Sequence, residues 1–113
     1  MYYVHKRLEI SASHQLKLSY ESKCENLHGH NWYIDIFLKG KELNQDGMLM
    51  DFTHIKKTIQ DKMDHKNLCE VFPDMNTTAE NMARKICEDL GPLCYKVMVQ
   101  ESENNIAIYE KEE

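Results

Sequence analysis

The chain has no long hydrophobic run. None of its apolar stretches approaches the roughly 20 residues that are needed to span a bilayer. The first residues, which include Tyr2, Tyr3 and Lys6, also lack the apolar centre of a secretion signal. These absences exclude a membrane-spanning helix, and we expect a soluble cytoplasmic protein without a membrane partner.

An excess of positive charge is missing as well. The sequence has 14 Lys and Arg against 19 Asp and Glu, which gives a formal net charge of -5 at pH 7. A general nucleic-acid-binding protein needs a basic surface to displace counterions from phosphates. We therefore expect no nucleic-acid partner. A small phosphorylated substrate stays possible, because a local lysine cluster can serve one anion.

Cysteine is scarce, and the spacing of the cysteines does not match a disulfide framework or a structural zinc site. The chain has 4 cysteines, and no two of them form a Cys-x-x-Cys pair. This pattern argues against a disulfide framework and against a cysteine-rich structural zinc site. We expect reduced thiols at Cys24, Cys69, Cys87 and Cys94.

Glycine and proline are also few, with 4 and 2 residues, and no linker or internal repeat interrupts the chain. We therefore expect a single domain over residues 1–113. Residues 2–10 have strand-like composition, and residues 30–39 alternate clearly. In that second segment Trp32, Ile34 and Ile36 share one face, which predicts a core-facing row.

Two helices and two more strands follow in the predicted order. Asp51 is a suitable N-cap for a helix with apolar residues at helical spacing. Residues 77–80, Thr-Thr-Ala-Glu, match a capping box that opens a second helix, and Gly91 followed by Pro92 ends it. Residues 95–100 and 105–109 then predict two strands. The order β-β-α-α-β-β predicts an α+β fold, with an antiparallel sheet and two helices on one face.

Three histidines carry most of the functional information. His28 and His30 flank Gly29, and an i, i+2 pair on an extended segment points both imidazoles to the same side. His14 offers a third imidazole from another segment. Three neutral imidazoles suit a Zn²⁺ ion that keeps its fourth position open, so we predict one zinc per chain. Cys24, four residues before His28, adds a thiol beside that site.

Short motifs along nearly the whole chain agree with one enzyme family. They are Ser11-Ala12-Ser13-His14, Cys24-x-x-x-His28-Gly29-His30, Gly47-Met48-x-x-Asp51-Phe52, Met63-Asp64-His65, Thr78-Ala79-Glu80-Asn81, Glu101-Ser102 and Ala107-Ile108-Tyr109. With these motifs the chain resembles the 6-pyruvoyltetrahydropterin synthase family, which includes the bacterial 6-carboxytetrahydropterin synthases of queuosine (7-deazaguanine) biosynthesis. The departures from the common pattern are small: Ile10 for Phe, Met63 for Leu, Thr77 for Pro and Ser102 for Thr.

The resemblance implies roles for nine residues. Zinc would be bound by His14, His28 and His30; the catalytic set would be Cys24, Asp64 and His65; and the pterin would be held by Glu101, with Thr78 and Glu80 nearby. A thiolate can take a proton from carbon, and an Asp beside a His can fix the tautomer of the imidazole. A carboxylate can accept two hydrogen bonds from the guanidine-like edge of a pterin. The predicted capping box offers a purely structural explanation of Glu80.

The resemblance also implies the fold and the reaction. The family has the tunnelling fold (T-fold), assembled as trimers or as hexamers with active sites at subunit interfaces. The Cys-x3-His-Gly-His spacing resembles the queuosine-pathway type, which implies a lyase that makes 6-carboxy-5,6,7,8-tetrahydropterin from 7,8-dihydroneopterin triphosphate, with loss of triphosphate and acetaldehyde. The alternatives are 6-pyruvoyltetrahydropterin synthesis, aldolase-like cleavage for folate, which Glu25 keeps open, and a non-catalytic zinc-binding oligomer.

Overall fold

Two long paired strands form the centre of the fold, and they carry the alternating apolar residues of the sequence. The computed structural model describes residues 1–112. The strands are β1 (Tyr2–His14), β2 (His28–Gly40), β3 (Lys66–Asn67), β4 (Cys94–Ser102) and β5 (Asn105–Glu110). The helices are α1 (Phe52–Met63), α2 (Leu68–Val71) and α3 (Ala79–Asp89), and a 3-10 turn at Lys23–Glu25 precedes β2.

The strands form one sheet in the order β3-β1-β2-β4-β5. Side chains alternate between a face that packs against the helices, here called the helix face, and an opposite open face. The predicted core row lies on the helix face, where Trp32, Ile34 and Ile36 are all fully buried. The tunnelling-fold prediction is confirmed, and both long strands extend further than predicted, so that β1 ends at His14 and β2 begins at His28.

The helix boundaries follow local sequence signals, with one correction. Asp51 caps α1 by accepting a hydrogen bond from the Thr53 backbone N–H, as predicted. The cap of α3 is Thr78, whose side chain accepts from the Asn81 backbone N–H. The predicted capping box, which would pair residue 77 with Glu80, was therefore wrong by one position. Among residues 1–112, no helix has the length and apolar character needed to cross a membrane.

One edge of the sheet departs from the predicted antiparallel pattern. The two-residue strand β3 pairs in parallel with β1, next to Ala12 and Ser13. The short helix α2 follows directly, capped by the Asn67 side chain. Neither element was predicted, because two residues cannot show a strand period and one helical turn cannot show a helical one. Both elements lie in the segment that connects α1 to α3.

Candidate metal centre and active site

The pairing of β1 with β2 brings the three predicted zinc ligands together. His14 lies directly opposite His28 in the register, and Ala12 lies opposite His30. The three residues therefore share the helix face at one end of the sheet. The centroids of the imidazole rings are 4.5 Å apart for His14 and His28, 5.3 Å for His14 and His30, and 4.8 Å for His28 and His30.

Backbone carbonyls orient two of these imidazoles. His14 Nδ1 donates to the carbonyl of Thr77 at 2.8 Å, and His28 Nδ1 donates to the carbonyl of Asn26 at 2.7 Å. Placing the proton on Nδ1 leaves a lone pair on Nε2, which is the usual arrangement of a metal-binding histidine. Within the described residues, the Nε2 atoms of His14 and His30 are buried and have no hydrogen-bond partner. Buried polar atoms without partners are costly, so these two nitrogens fit a bound cation.

A fourth ligand-capable group comes from β4. One nitrogen from each histidine and one carboxylate oxygen of Glu101 all lie within 4.8 Å of one another. The oxygen Oε1 is 3.2 Å from His30 Nε2, in a geometry that makes no hydrogen bond. Three imidazoles and a carboxylate match the donor types that Zn²⁺ accepts. The residues present therefore fit a metal ion.

Glu101 was predicted as a pterin anchor and not as a neighbour of the histidines. The signal that reveals its position is the alternation of β4, in which Val97 and Val99 are buried on the helix face and Glu101 has the same parity. The order of the strands is also needed, since β4 lies beside β2 only in the folded sheet.

Burial makes the histidines suitable as neutral ligands. It lowers the pKa of His14, an effect that the hydrogen bond to the Thr77 carbonyl partly opposes. Burial also lowers the pKa of His30, and the negative charge of Glu101 partly opposes it. Both imidazoles are therefore neutral at pH 7, the form in which histidine binds a metal.

Trp32 forms the base of the histidine group. Its ring packs edge-on against His14 at 4.9 Å and His30 at 5.4 Å between centroids. Its indole N–H donates to the carbonyl of Ala12 at 3.2 Å. A fully buried, hydrogen-bonded indole of this kind restricts both imidazoles to one orientation.

Cys24 precedes the strand that carries His28 and His30, and in the described residues it is not one of the clustered ligand groups. It sits on the 3-10 turn before β2 and is partly buried. Its backbone N–H donates to Ser22 Oγ, and its carbonyl accepts from the Leu16 backbone N–H at 2.7 Å. Its sulfur does not belong to the group of atoms that lie within 4.8 Å of one another in the described residues. The thiol is thus positioned by its turn, next to the segment that leads into His28.

Asp64 and His65 lie where α1 ends. Asp64 Oδ1 accepts from the Ser11 backbone N–H at 2.8 Å, and the His65 backbone N–H donates to the Ser11 carbonyl at 2.7 Å. The His65 imidazole is 82% exposed, and its Nε2 is 3.6 Å from Asp64 Oδ2, too far for a hydrogen bond. His65 has a left-handed backbone with φ 59°. It lines a cavity of about 440 Å³ together with Ser13, His30 and Asn31. In the described residues, His65 does not belong to the group of ligand atoms that lie within 4.8 Å of one another.

The predicted pterin-binding residues are only partly brought together. Glu80 and Glu101 line one cavity of about 460 Å³, which extends along the start of β5 past Asn105 and Ile106. Glu80 is exposed and free of the capping role that the sequence suggested. Thr78 caps α3 and does not line that cavity.

Comparison with known proteins agrees with this arrangement. Residues 3–112 match the family described as 6-pyruvoyl tetrahydropterin synthase. The 6-pyruvoyl tetrahydrobiopterin synthase of Dictyostelium discoideum is 36% identical, over 95% of this chain and 94% of that protein. The 6-carboxy-5,6,7,8-tetrahydropterin synthase of Bacillus subtilis is 27% identical, over 94% of this chain and 83% of that protein.

The fold gives the same result. The structure of Caenorhabditis elegans 6-pyruvoyl tetrahydropterin synthase superposes with a TM-score of 0.76 and 29% identity, covering 98% of this chain and 96% of that one. The match in sequence runs through β1 to β5 and includes every residue of the histidine–glutamate group. The chain therefore belongs to the 6-pyruvoyl tetrahydropterin synthase family.

Proposed function

We propose that this chain is a zinc-dependent 6-carboxy-5,6,7,8-tetrahydropterin synthase of queuosine biosynthesis. In this reaction 7,8-dihydroneopterin triphosphate loses triphosphate and acetaldehyde. The observation that carries the proposal is the group of three imidazoles and one carboxylate in a chain of this family, in which two buried Nε2 atoms have no partner among residues 1–112. The Cys-x3-His-Gly-His spacing supports the 6-carboxy product.

Zinc would be held by His14, His28 and His30, and when bound it would polarise the side-chain hydroxyl oxygens of the substrate as a Lewis acid. Two of these imidazoles are already oriented by backbone carbonyls. Glu101 lies where the histidine group meets the 460 Å³ cavity. A pterin seated in that cavity would present adjacent N–H groups, and the carboxylate would accept them.

Cys24 and His65 would move protons on the substrate side chain. The turn that carries Cys24 leads into His28, so a thiolate there would approach the carbon atoms next to the polarised hydroxyl groups. His65 would exchange a proton with the substrate as acid or base, and Asp64 would stabilise its charged form. The 3.6 Å separation of Asp64 and His65 supports an electrostatic role for the carboxylate.

The product decides between this proposal and its alternatives. Incubation of the zinc-loaded protein with 7,8-dihydroneopterin triphosphate, followed by mass spectrometry and acetaldehyde detection, should give 6-carboxytetrahydropterin and acetaldehyde. A second candidate is 6-pyruvoyltetrahydropterin synthase, favoured by the relative that is 36% identical over 95% of the chain. Triphosphate release without acetaldehyde would establish that candidate instead.

Two further outcomes would overturn the proposed reaction. Cleavage of dihydroneopterin itself would indicate an aldolase-like folate enzyme, in which Glu25 beside Cys24 takes part. A zinc-loaded oligomer that turns over none of these substrates would indicate a non-catalytic zinc-binding protein.

The metal is tested separately from the reaction. Purified wild type should contain one zinc per chain, and His28→Ala should lose most of it, because one of three imidazole ligands is removed. His54→Ala is the matched control, since His54 is an exposed histidine on α1. Equal zinc content in wild type and His28→Ala would refute the assignment of the ligands.

We also propose that the active site is shared between subunits of a trimer or hexamer. The two edges of the sheet support this assembly, because β3 has only two residues and β5 exposes Ile106 and Ile108 by 50% and 58%. The His65 imidazole is 82% exposed and does not join the described ligand group of its own chain, which supports a contribution to a neighbouring chain.

Complementation tests the sharing. Cys24→Ala and His65→Ala proteins should each be inactive, and a mixture that is dissociated and reassembled should recover part of the activity. Each variant reassembled alone is the control. Verified mixed oligomers that stay inactive would mean that each chain builds its own complete site.

A further inference from the structure

Two polar side chains outside the predicted catalytic set lie behind His14. Thr77 is fully buried, and its hydroxyl oxygen is 3.3 Å from His14 Nδ1. The same hydroxyl is 3.7 Å from the sulfur of Cys69, on α2. The thiol in turn contacts the backbone of Gln15, the residue that follows His14. These groups form a continuous chain of polar contacts from the imidazole to the end of β1.

The direction of each hydrogen bond in this chain follows from the number of protons available. The Cys69 thiol has one proton, which it donates to the Gln15 carbonyl at 3.3 Å. Its sulfur accepts from the Gln15 backbone N–H at 3.4 Å. The Thr77 hydroxyl then has the sulfur as its acceptor, so its oxygen is left to accept from His14.

These hydrogen bonds determine which nitrogen of His14 can bind a metal. The proton on Nδ1 is shared between the Thr77 carbonyl at 2.8 Å and the Thr77 hydroxyl at 3.3 Å. With Nδ1 protonated, Nε2 carries the lone pair that points into the histidine group. Groups that hold the remote nitrogen of a metal-binding histidine typically contribute 10–100-fold to metal affinity.

We propose that the Thr77 hydroxyl and the Cys69 thiol are positioning residues that hold the His14 imidazole in its metal-binding orientation, while the Thr77 carbonyl fixes its tautomer. Cys69 acts through Thr77, and neither residue touches the metal. This inference rests on the metal site proposed above. It gives a role to Cys69, for which the sequence alone predicted only a reduced thiol, and to the hydroxyl of Thr77, at a position where the family commonly has proline.

Matched variants distinguish the loss of the Thr77 hydroxyl or the Cys69 thiol from a general change in packing. Thr77→Val removes the hydroxyl and keeps the shape and the main-chain carbonyl, and Cys69→Ala removes the thiol. Cys69→Ser retains a donor and an acceptor and should rescue the effect. Cys87→Ala is the control for a lost buried thiol, because Cys87 contacts the Cys94 carbonyl and not the histidine group.

Two readouts test the proposal. In a Zn²⁺ competition titration against a chelator, Thr77→Val and Cys69→Ala should each weaken binding by about 10-fold, while Cys69→Ser and Cys87→Ala stay near wild type. In the metal-free protein, the Nδ1 proton of His14, followed by NMR, should exchange slowly with water in wild type and faster in Thr77→Val and Cys69→Ala, because one of its two acceptors is lost or no longer held in place.

The outcomes distinguish failure of the proposed role of Thr77 and Cys69 from failure of the proposed metal site. Wild-type zinc affinity in both Thr77→Val and Cys69→Ala, or an unchanged exchange rate of the His14 Nδ1 proton in both, would overturn the proposal. If Thr77→Val does not fold, the partly buried Cys69 still decides the question. Wild-type protein that binds no Zn²⁺ would overturn the metal site, and the metal-free spectra would then decide the role of Thr77 and Cys69.

Discussion

Replacing Trp32 with Phe should lower the free energy of unfolding by about 3 kcal/mol. The indole is fully buried and donates one hydrogen bond, to the Ala12 carbonyl at 3.2 Å. A lost buried hydrogen bond costs about 1 kcal/mol. The smaller ring also gives up about three buried ring atoms, which at about 0.8 kcal/mol for each CH₂ equivalent adds about 2 kcal/mol.

Urea denaturation followed by far-UV circular dichroism measures this change, at one protein concentration because an oligomer's stability depends on it. With a denaturant slope of about 2 kcal/mol per M, the midpoint should fall by about 1.5 M. Tyr33→Phe is the matched control on the same strand. Its hydroxyl makes an exposed 3.3 Å contact with Glu9, so its loss should cost less than about 0.5 kcal/mol. A Trp32→Phe variant as stable as Tyr33→Phe would refute the argument that the indole anchors this end of the sheet.

Three further predictions concern the thiols and His65. Cys24→Ala should keep its zinc and lose about 10²–10⁴-fold in turnover, as measured with the triphosphate substrate, because a proton-transfer group is removed; a near-normal rate would make Cys24 a packing residue. Burial raises the pKa of Cys94 to about 12 and also raises the pKa of Cys87. Only the thiolate reacts with an alkylating agent, and the buried thiols of Cys87 and Cys94 form little thiolate at pH 8. Mass spectrometry after alkylation at pH 8 should therefore find labels at Cys24 and Cys69 alone in the native protein, and at all four cysteines after unfolding. Rapid labelling of Cys94 in the native protein would contradict the structure. His65→Val should be less stable to urea than His65→Gly by about 1–3 kcal/mol, since a β-branched residue is strained at φ 59°; equal stability would show that the backbone relaxes.

The histidine site was predictable because its geometry is local. His28 and His30 share a face in any extended conformation, and the row that continues through Trp32 identifies that face as the buried one. His14 needed only the antiparallel pairing of two consecutive strands. The spacing of the histidines and the alternation of the strand are therefore enough to predict the three-histidine group.

The remaining parts of the site depend on contacts between distant segments. Glu101 meets the histidines only because β4 lies beside β2, and a sequence pattern does not give the order of strands. The capping-box error has a similar cause. Thr77 and Thr78 are equally good caps locally, but the Thr77 carbonyl bonds to His14 and its side chain is buried, which leaves Thr78 to begin the helix.

Trp32 is also the only tryptophan in the sequence. Its emission therefore reports on a single place, where the indole edge contacts two imidazoles of the histidine group. Indole fluorescence is quenched by a nearby imidazolium and responds to a change in local charge. The unlabelled protein thus contains an optical probe of its own site, and stopped-flow fluorescence can follow events at the histidines in real time.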